Sequence, residues 1–143
     1  YKNCSSPKDI THIKNGNGKL IVTEGVFDLL SLLSCNGILE EDYDFLVLNS
    51  NALVSKAVEI MKSYLQIDLY LDNDPNGRRT NQKLMAHSNN CLDKSKFYEG
   101  FKDMNEWLIY NAKKGLGQEA RDVSLLPQRQ TRFTPGGRKV REK

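Results

Sequence analysis

Short apolar runs alternate with segments of helical periodicity along most of this chain. The runs Leu20 to Val22, Phe45 to Leu48 and Ile67 to Leu71 are continuous and rich in Leu, Ile and Val. Such runs are typical of strands that are covered on both faces. Between them, apolar positions recur at helical spacing in 27–33 and 53–65. The alternation predicts parallel strands connected by helices.

The pattern continues toward the C-terminus with more polar residues. A polar helix carrying Leu84 and Met85 is expected after Gly77, a short strand at 96–98, and a final helix from about Asn105. Strands and helices in this order predict an α/β fold with a central, mainly parallel sheet of about four strands flanked by helices.

Acidic residues follow two of the predicted strands. Glu24 comes one residue after the first run, and Asp72 and Asp74 come after the third. The carboxyl ends of parallel strands meet at one sheet edge, where ligands of open α/β folds bind. Side chains two positions apart at a strand end point the same way, so Asp72 and Asp74 are expected to share one pole.

Three carboxylates at one edge would repel one another unless a cation neutralised them. Mg²⁺ is the simplest such cation because it is hard and prefers oxygen ligands, and Mn²⁺ is expected to substitute for it. The segment after Tyr70 has two other interpretations. Its Asp, Asn, Pro and Gly residues favour a plain turn. It also begins like an EF-hand loop, but Lys83 stands at the twelfth position, where its charge would repel an ion.

The length of 143 residues fits one domain. We expect an N-terminal lead-in over 1–17, the α/β domain over 18–116, and a basic, disordered tail over 117–143. The tail is interpreted either as a solvated linker or as an arm that touches nucleic acid. Because the chain begins at Tyr1 without an initiating Met, we also expect it to be a piece of a longer protein.

The net charge of +3 is too small to indicate a nucleic-acid binder by itself. No run approaches the ~20 apolar residues of a membrane span. The three cysteines are far apart and lack any metal-binding spacing, which indicates free thiols. These features predict a cytoplasmic protein that does not bind membranes.

Two acidic motifs together carry a resemblance to a known family. Glu24-Gly25 after one strand, and Asp72-x-Asp74-x-x-Gly77 after another, resemble the Toprim domain of bacterial primases, topoisomerases and some nucleases. The likeness extends over 20–107 and implies a Rossmann-like Toprim fold. It also implies that Glu24 is the general acid/base and that Asp72 and Asp74 bind Mg²⁺.

A further stretch, Lys102-Asp103-Met104-Asn105-Glu106, resembles the Lys-Asp-Pro-Asp-Glu stretch of bacterial primases. By that resemblance Asp103 is an additional metal ligand. Asn105, which replaces the second acid, would coordinate through its carbonyl. Helix N-capping is the alternative role for both residues. Asp28, which also follows the primase pattern after Glu-Gly, is expected to be an outward first-turn acid stabilised by the helix dipole.

The resemblance implies Mg²⁺-dependent nucleotidyl transfer in a bacterial DNA primase-like protein. Its partners would be nucleoside triphosphates, a single-stranded DNA template, the primer, and a helicase or other replication proteins. Because the zinc-binding and basic N-terminal parts of primases are not in this chain, the fragment alone should prime poorly. Phosphate or nucleic-acid contacts are expected from Arg78, Arg79, Lys83 and Lys102.

Other functions fit the same motifs. A Toprim nuclease or topoisomerase fragment would use the same metal site. A haloacid-dehalogenase-like phosphotransferase would use a strand-ending Asp-x-Asp, but it would place that motif near the start of the fold. A non-catalytic Toprim domain would serve as a docking module for DNA or protein.

Overall fold

The computed structural model describes residues 8–35 and 37–114. The predicted tail, 117–143, lies outside the described residues, as do the first seven residues of the lead-in. The strands are β1 (Thr11–Ile13), β2 (Lys19–Thr23), β3 (Asp44–Val47), β4 (Gln66–Tyr70) and β5 (Cys91–Asp93). The helices are α1 (Val26–Leu33), α2 (Val54–Met61), α3 (Pro75–His87) and α4 (Met104–Lys113), and short 3₁₀ turns occupy Glu40–Asp42, Asn51–Leu53 and Ser95–Tyr98.

The five strands form one sheet in the order β1-β3-β2-β4-β5. Strand β2 pairs in parallel with β3 and β4, and β4 pairs in parallel with β5. This arrangement confirms the predicted α/β fold with a mainly parallel sheet. The additional strand, β1, pairs antiparallel with β3 at the edge. It was not predicted because three residues are too few to show a period.

Helices cover both faces of the sheet. Strand side chains alternate between the faces, so Leu20 and Val22 pack on one side while Ile21 packs on the other. The first side also buries Ala57, Met61 and Leu84 from α2 and α3, and the second buries Leu29, Leu32, Met104 and Trp107 from α1 and α4. The sheet therefore separates two apolar clusters. No helix in the described ranges is long and apolar enough to cross a membrane.

The strand predicted at 96–98 is wrong. Residues Ser95–Tyr98 form a 3₁₀ turn, and the last strand lies earlier, at Cys91–Asp93. Tyr98 is fully buried, and its hydroxyl donates a hydrogen bond of 2.5 Å to the carbonyl of Leu71. Tyr98 therefore anchors this turn at the end of β4.

Helix α3 begins before Gly77, where the sequence had suggested a turn. Asp74 is the N-cap, since its Oδ1 accepts the N–H of Gly77 at 2.8 Å, and Pro75 occupies the first helical position. A Cβ atom on Gly77 would lie 2.1 Å from the carbonyl oxygen of Asp72. Glycine is therefore required here because the helix approaches the Asp72 backbone closely, and not because the chain turns.

Candidate metal centre

Glu24 and Asp72 lie at neighbouring strand ends and are in contact. Each residue follows its strand, β2 or β4, at the carboxyl edge of the sheet. The backbone N–H of Asp72 donates to Glu24 Oε2 at 2.8 Å. The topology thus brings together two acids that 47 residues separate in the sequence.

Two further carboxylates meet Asp72 at this edge. One carboxylate oxygen each from Asp28, Asp72 and Asp103 lies within 4.8 Å of the others. Asp28 comes from α1, Asp72 from the loop after β4, and Asp103 from the N-terminus of α4. Asp28 is buried, and Asp72 and Asp103 are half-buried. We call this group the acidic cluster.

The electrostatics of the acidic cluster favour a bound cation. Burial, together with the charges of Glu24 and Asp28, raises the pKa of Asp72 to about 8. Burial and the charge of Asp103 raise the pKa of Asp28 to about 6. Proximity of like charges and loss of water both disfavour the ionised carboxylates. A divalent cation among them would favour the ionised carboxylates and so offset both effects.

The Asp72 carboxylate also has an oxygen without a partner. Its Oδ1 atom is buried, and within the described residues no hydrogen-bond donor reaches it. A buried polar atom that lacks a partner costs free energy. Carboxylate oxygens are the ligands that Mg²⁺ and Mn²⁺ prefer, so the residues present fit such an ion.

The prediction that Asp28 points outward is wrong. Asp28 is only 8% exposed, and its Oδ1 accepts the backbone N–H of Asn105 at 3.3 Å. The sequence carried a signal for this, because the apolar residues Leu32 and Cys35 follow Asp28 at helical spacing. In the structure both are buried, as Asp28 is. An acid on the apolar face of an otherwise apolar helix marks a polar site beneath it.

Asp74 and Asp103 both cap helices. Asp74 Oδ1 accepts from Gly77 at the start of α3, and Asp103 Oδ1 accepts from the N–H of Glu106 at 2.8 Å at the start of α4. N-capping, the alternative role given for Asp103, is confirmed, whereas Asn105 lies inside α4 and is not its N-cap. Asp74 is not part of the acidic cluster. It lies beyond the end of β4 at Tyr70, so the alternation of side chains along a strand does not make it point the same way as Asp72. Metal binding by Asp74 stays a prediction.

Asn105 connects α4 to α1. Its Oδ1 accepts the hydroxyl of Ser31 at 3.0 Å, and its backbone N–H donates to Asp28. The carbonyl that the sequence assigned to a metal is therefore engaged in a contact between helices. Asn105 orients Asp28 in this arrangement, and its coordination of a metal stays a prediction.

The cations expected to bind phosphate differ in their contacts with the Asp72 loop. Arg78 Nε donates to the carbonyl of Asn73 at 3.1 Å, and the carbonyl of Lys102 accepts from the N–H of Asn73. Arg78 and Lys102 are both exposed beside the Asp72 loop. Arg79 contacts the side chain of Asn76 on the first turn of α3. Lys83 is about 13 Å along the helix from its N-cap, at 1.5 Å per residue.

The chain matches the sequence model of a family described as Toprim-like over residues 21–108. That range includes Glu24 and all three members of the acidic cluster. Among curated proteins, none matches the chain.

Two solved structures from bacteriophage T7 share the fold. The primase fragment of the T7 primase-helicase protein matches with a TM-score of 0.52 and 21% identity, over 67% of this chain and 40% of that chain. The second is the T7 lagging-strand DNA polymerase interacting with primase domains bound to an RNA/DNA hybrid and dTTP. It matches with a TM-score of 0.54 and 20% identity, over 71% of this chain and 52% of that chain. This chain thus spans about half the length of these proteins, or less.

Proposed function

The chain belongs to the Toprim-like family, and from that premise we propose that its acidic cluster binds Mg²⁺ for nucleotidyl transfer in a DNA primase-like protein. The observation that carries the proposal is the buried Oδ1 atom of Asp72, which lacks a hydrogen-bond partner and belongs to a carboxylate that is clustered with those of Asp28 and Asp103. A docking surface would not require three carboxylates to be brought together at a cost in free energy.

In this proposal Asp72, Asp103 and Asp74 hold the ion, and Asp28 adds a fourth carboxylate. When bound, Mg²⁺, or Mn²⁺ in its place, neutralises charge on the reacting phosphates. The helix caps at Asp74 and Asp103 leave one oxygen of each carboxylate available while fixing the other. Asn105 contributes by orienting Asp28 through its N–H.

Glu24 acts as the general acid/base. The hydrogen bond from the Asp72 N–H occupies Oε2 and orients the carboxylate, which leaves Oε1 to exchange a proton with the substrate. In primer extension, that proton would come from the attacking hydroxyl of the primer. The bond to phosphorus forms as pyrophosphate leaves the incoming nucleotide.

Nucleic acid and nucleoside triphosphates are the proposed partners. Arg78 and Lys102, which are exposed beside the Asp72 loop, would contact phosphates, and Arg79 and Lys83 would extend this contact along α3. A helicase or other replication proteins would assemble with the parent protein in the cytoplasm. Because the chain spans only 40% and 52% of its T7 neighbours, we expect it to bind metal but to prime poorly alone.

A topoisomerase function receives no support from the tyrosines near the acidic cluster. Tyr70 is 4% exposed and Tyr98 is fully buried, with its hydroxyl bonded to the carbonyl of Leu71. Neither residue can present its hydroxyl to a DNA phosphate. A docking module is distinguished from an enzyme by whether the chain responds to metal.

The test is a calorimetric titration of the chain with Mg²⁺ and Mn²⁺, comparing wild type with Asp72→Asn. Asp42→Asn is the control, since Asp42 is exposed and precedes β3, at the opposite edge of the sheet. We expect saturable binding by wild type and by the control, and at least about a tenfold loss of affinity in Asp72→Asn. Equal affinity in Asp72→Asn, or no saturable binding by wild type, would contradict the proposal.

The activity is tested in the full-length parent protein. Template-directed primer synthesis should fall at least about a hundredfold in Asp72→Asn, because charge stabilisation at the reacting phosphates would be lost. The Asp42→Asn variant of the parent should prime at the wild-type rate.

A further inference from the structure

The side chain of Asn73 joins the loop of Asp72 to the segment that carries Asp103. Its amide nitrogen Nδ2 lies 3.1–3.3 Å from three carbonyl oxygens, those of Ser95, Tyr98 and Phe101. An amide NH₂ group has two hydrogens, so the three carbonyls share two donors. These hydrogen bonds join Asn73 to residues that lie 22 to 28 positions later in the sequence.

The backbone of Asn73 adds a further contact to the same segment. Its N–H donates to the carbonyl of Lys102 at 2.6 Å, immediately before Asp103. The side chain and the main chain of one residue therefore hold both the turn at 95–98 and the residues that lead into α4.

Other contacts hold the start of this segment. The N–H of Lys94 donates to the carbonyl of Leu69 at 2.9 Å, and the pairing of β4 with β5 ends at Leu69 and Asp93. The hydroxyl of Tyr98 donates to the carbonyl of Leu71. Over 99–103, in the part of the chain that the structure describes, the hydrogen bonds to the Asp72 loop all come from Asn73.

We propose that Asn73 is a positioning residue, which sets the separation of the Asp72 and Asp103 carboxylates and so the affinity of the acidic cluster for a divalent metal. The inference rests on the proposed function, since it concerns the same metal site. Contacts between α1 and α4, through Asn105, place Asp103 relative to Asp28. Asn73 places Asp103 relative to Asp72.

An amide is suited to this position for a chemical reason. The carbonyl oxygens around Nδ2 can only accept hydrogen bonds, so the side chain at 73 must donate. An apolar side chain would leave the carbonyls without this donor, and a carboxylate would repel them. Replacing a residue that orients a metal ligand without touching the ion typically lowers metal affinity by about 10- to 100-fold.

The experiment compares Mn²⁺ affinity, measured by calorimetry and by electron paramagnetic resonance, in wild type and Asn73→Ala. The matched control is Asn90→Ala. Asn90 also ties two segments together through its Nδ2, which donates to the carbonyl of Tyr64 at 2.6 Å, but it precedes β5 at the opposite edge of the sheet. Thermal unfolding without metal measures the structural cost of each change.

We expect Asn73→Ala to weaken Mn²⁺ binding roughly tenfold. Asn90→Ala should lower the unfolding temperature while leaving Mn²⁺ affinity within about twofold of wild type. Asn73→Ser, whose hydroxyl keeps one donor, should lose less affinity than Asn73→Ala, and it replaces Asn73→Ala in the comparison if the latter does not fold.

A double-variant cycle separates positioning from a general loss of structure. Asp103→Asn keeps an N-capping side chain but removes the carboxylate. In that background Asn73→Ala should change Mn²⁺ affinity by less than about twofold, because no carboxylate remains for Asn73 to position. An equal loss in both backgrounds would overturn the inference.

The outcomes also distinguish this inference from the proposed function. If wild type binds Mn²⁺ and Asp72→Asn does not, but Asn73→Ala binds like wild type, then the metal site stands and only the role of Asn73 is overturned. If wild type itself shows no saturable binding, both the site and the role of Asn73 are overturned.

Discussion

The carboxylate of Glu24 accepts a hydrogen bond from the backbone N–H of Asp72 at 2.8 Å. One residue is the proposed acid/base and the other a proposed metal ligand, and they follow neighbouring parallel strands, β2 and β4. The contact orients the Glu24 side chain and restrains the loop of Asp72 at once. Substitutions of Glu24 should therefore have two separable consequences.

Glu24→Gln should greatly reduce activity without loosening the fold. The Gln carbonyl can still accept the Asp72 N–H, so the free energy of unfolding should stay within about 1 kcal/mol of wild type. Primer synthesis by the parent protein should fall about 10²–10⁴-fold because the amide cannot exchange the proton. Glu24→Ala, the comparison, should lose the hydrogen bond as well. Wild-type activity in Glu24→Gln would exclude Glu24 as the acid/base.

Without metal, the free energy of unfolding should fall as the pH rises from about 5 to about 8. The pKa of Asp72 is raised to about 8 and that of Asp28 to about 6, from an ordinary value of 3.8. The folded state therefore keeps protons that the unfolded state has lost, so stability is present below the ordinary pKa and is lost through the raised values. We expect a decrease of about 1–3 kcal/mol, since solvent screens the half-buried Asp72.

Chemical denaturation in the presence of a chelator, at several pH values, measures this decrease. Asp72→Asn should flatten the dependence because its side chain does not titrate. Saturating Mg²⁺ should flatten it in the wild type by neutralising the carboxylates. A wild-type stability that rises over this pH range would contradict the raised pKa values.

Gly77→Ala should destabilise the domain and disturb the metal site together. The added Cβ would lie 2.1 Å from the Asp72 carbonyl oxygen, so the backbone must shift. Overpacking of this kind costs about 1–3 kcal/mol. The temperature of thermal unfolding should fall, and the Mn²⁺ affinity measured by titration should weaken. Gln82→Ala, on the exposed side of the same helix, is the control and should change neither.

Asp74 offers a test that separates helix capping from metal binding. Asp74→Ala should cost about 1 kcal/mol of stability by removing the cap on the Gly77 N–H, and Asp74→Asn should recover most of it. If Asp74 is a ligand, both variants should bind Mg²⁺ more weakly than wild type. Calorimetric affinity equal to wild type in Asp74→Asn would remove Asp74 from the ligand set.

The α/β fold could be predicted from the sequence because its signals are local. Continuous apolar runs mark β2, β3 and β4, and the parallel arrangement of such strands sends their carboxyl ends to one edge. The proximity of Glu24 and Asp72 could therefore be predicted from the sequence. Strands β1 and β5 were missed because each has three residues, fewer than a periodicity requires.

The composition of the metal centre was decided by tertiary structure. Asp28 belongs to the acidic cluster because α1 packs against α4, which buries its carboxylate beside that of Asp103. Asp74 turns to the Gly77 N–H because α3 begins directly after it. Asn73 reaches three carbonyl groups that lie more than 20 residues away. Sequence patterns record which face of an element is apolar, whereas distances between carboxylates depend on how separate elements pack.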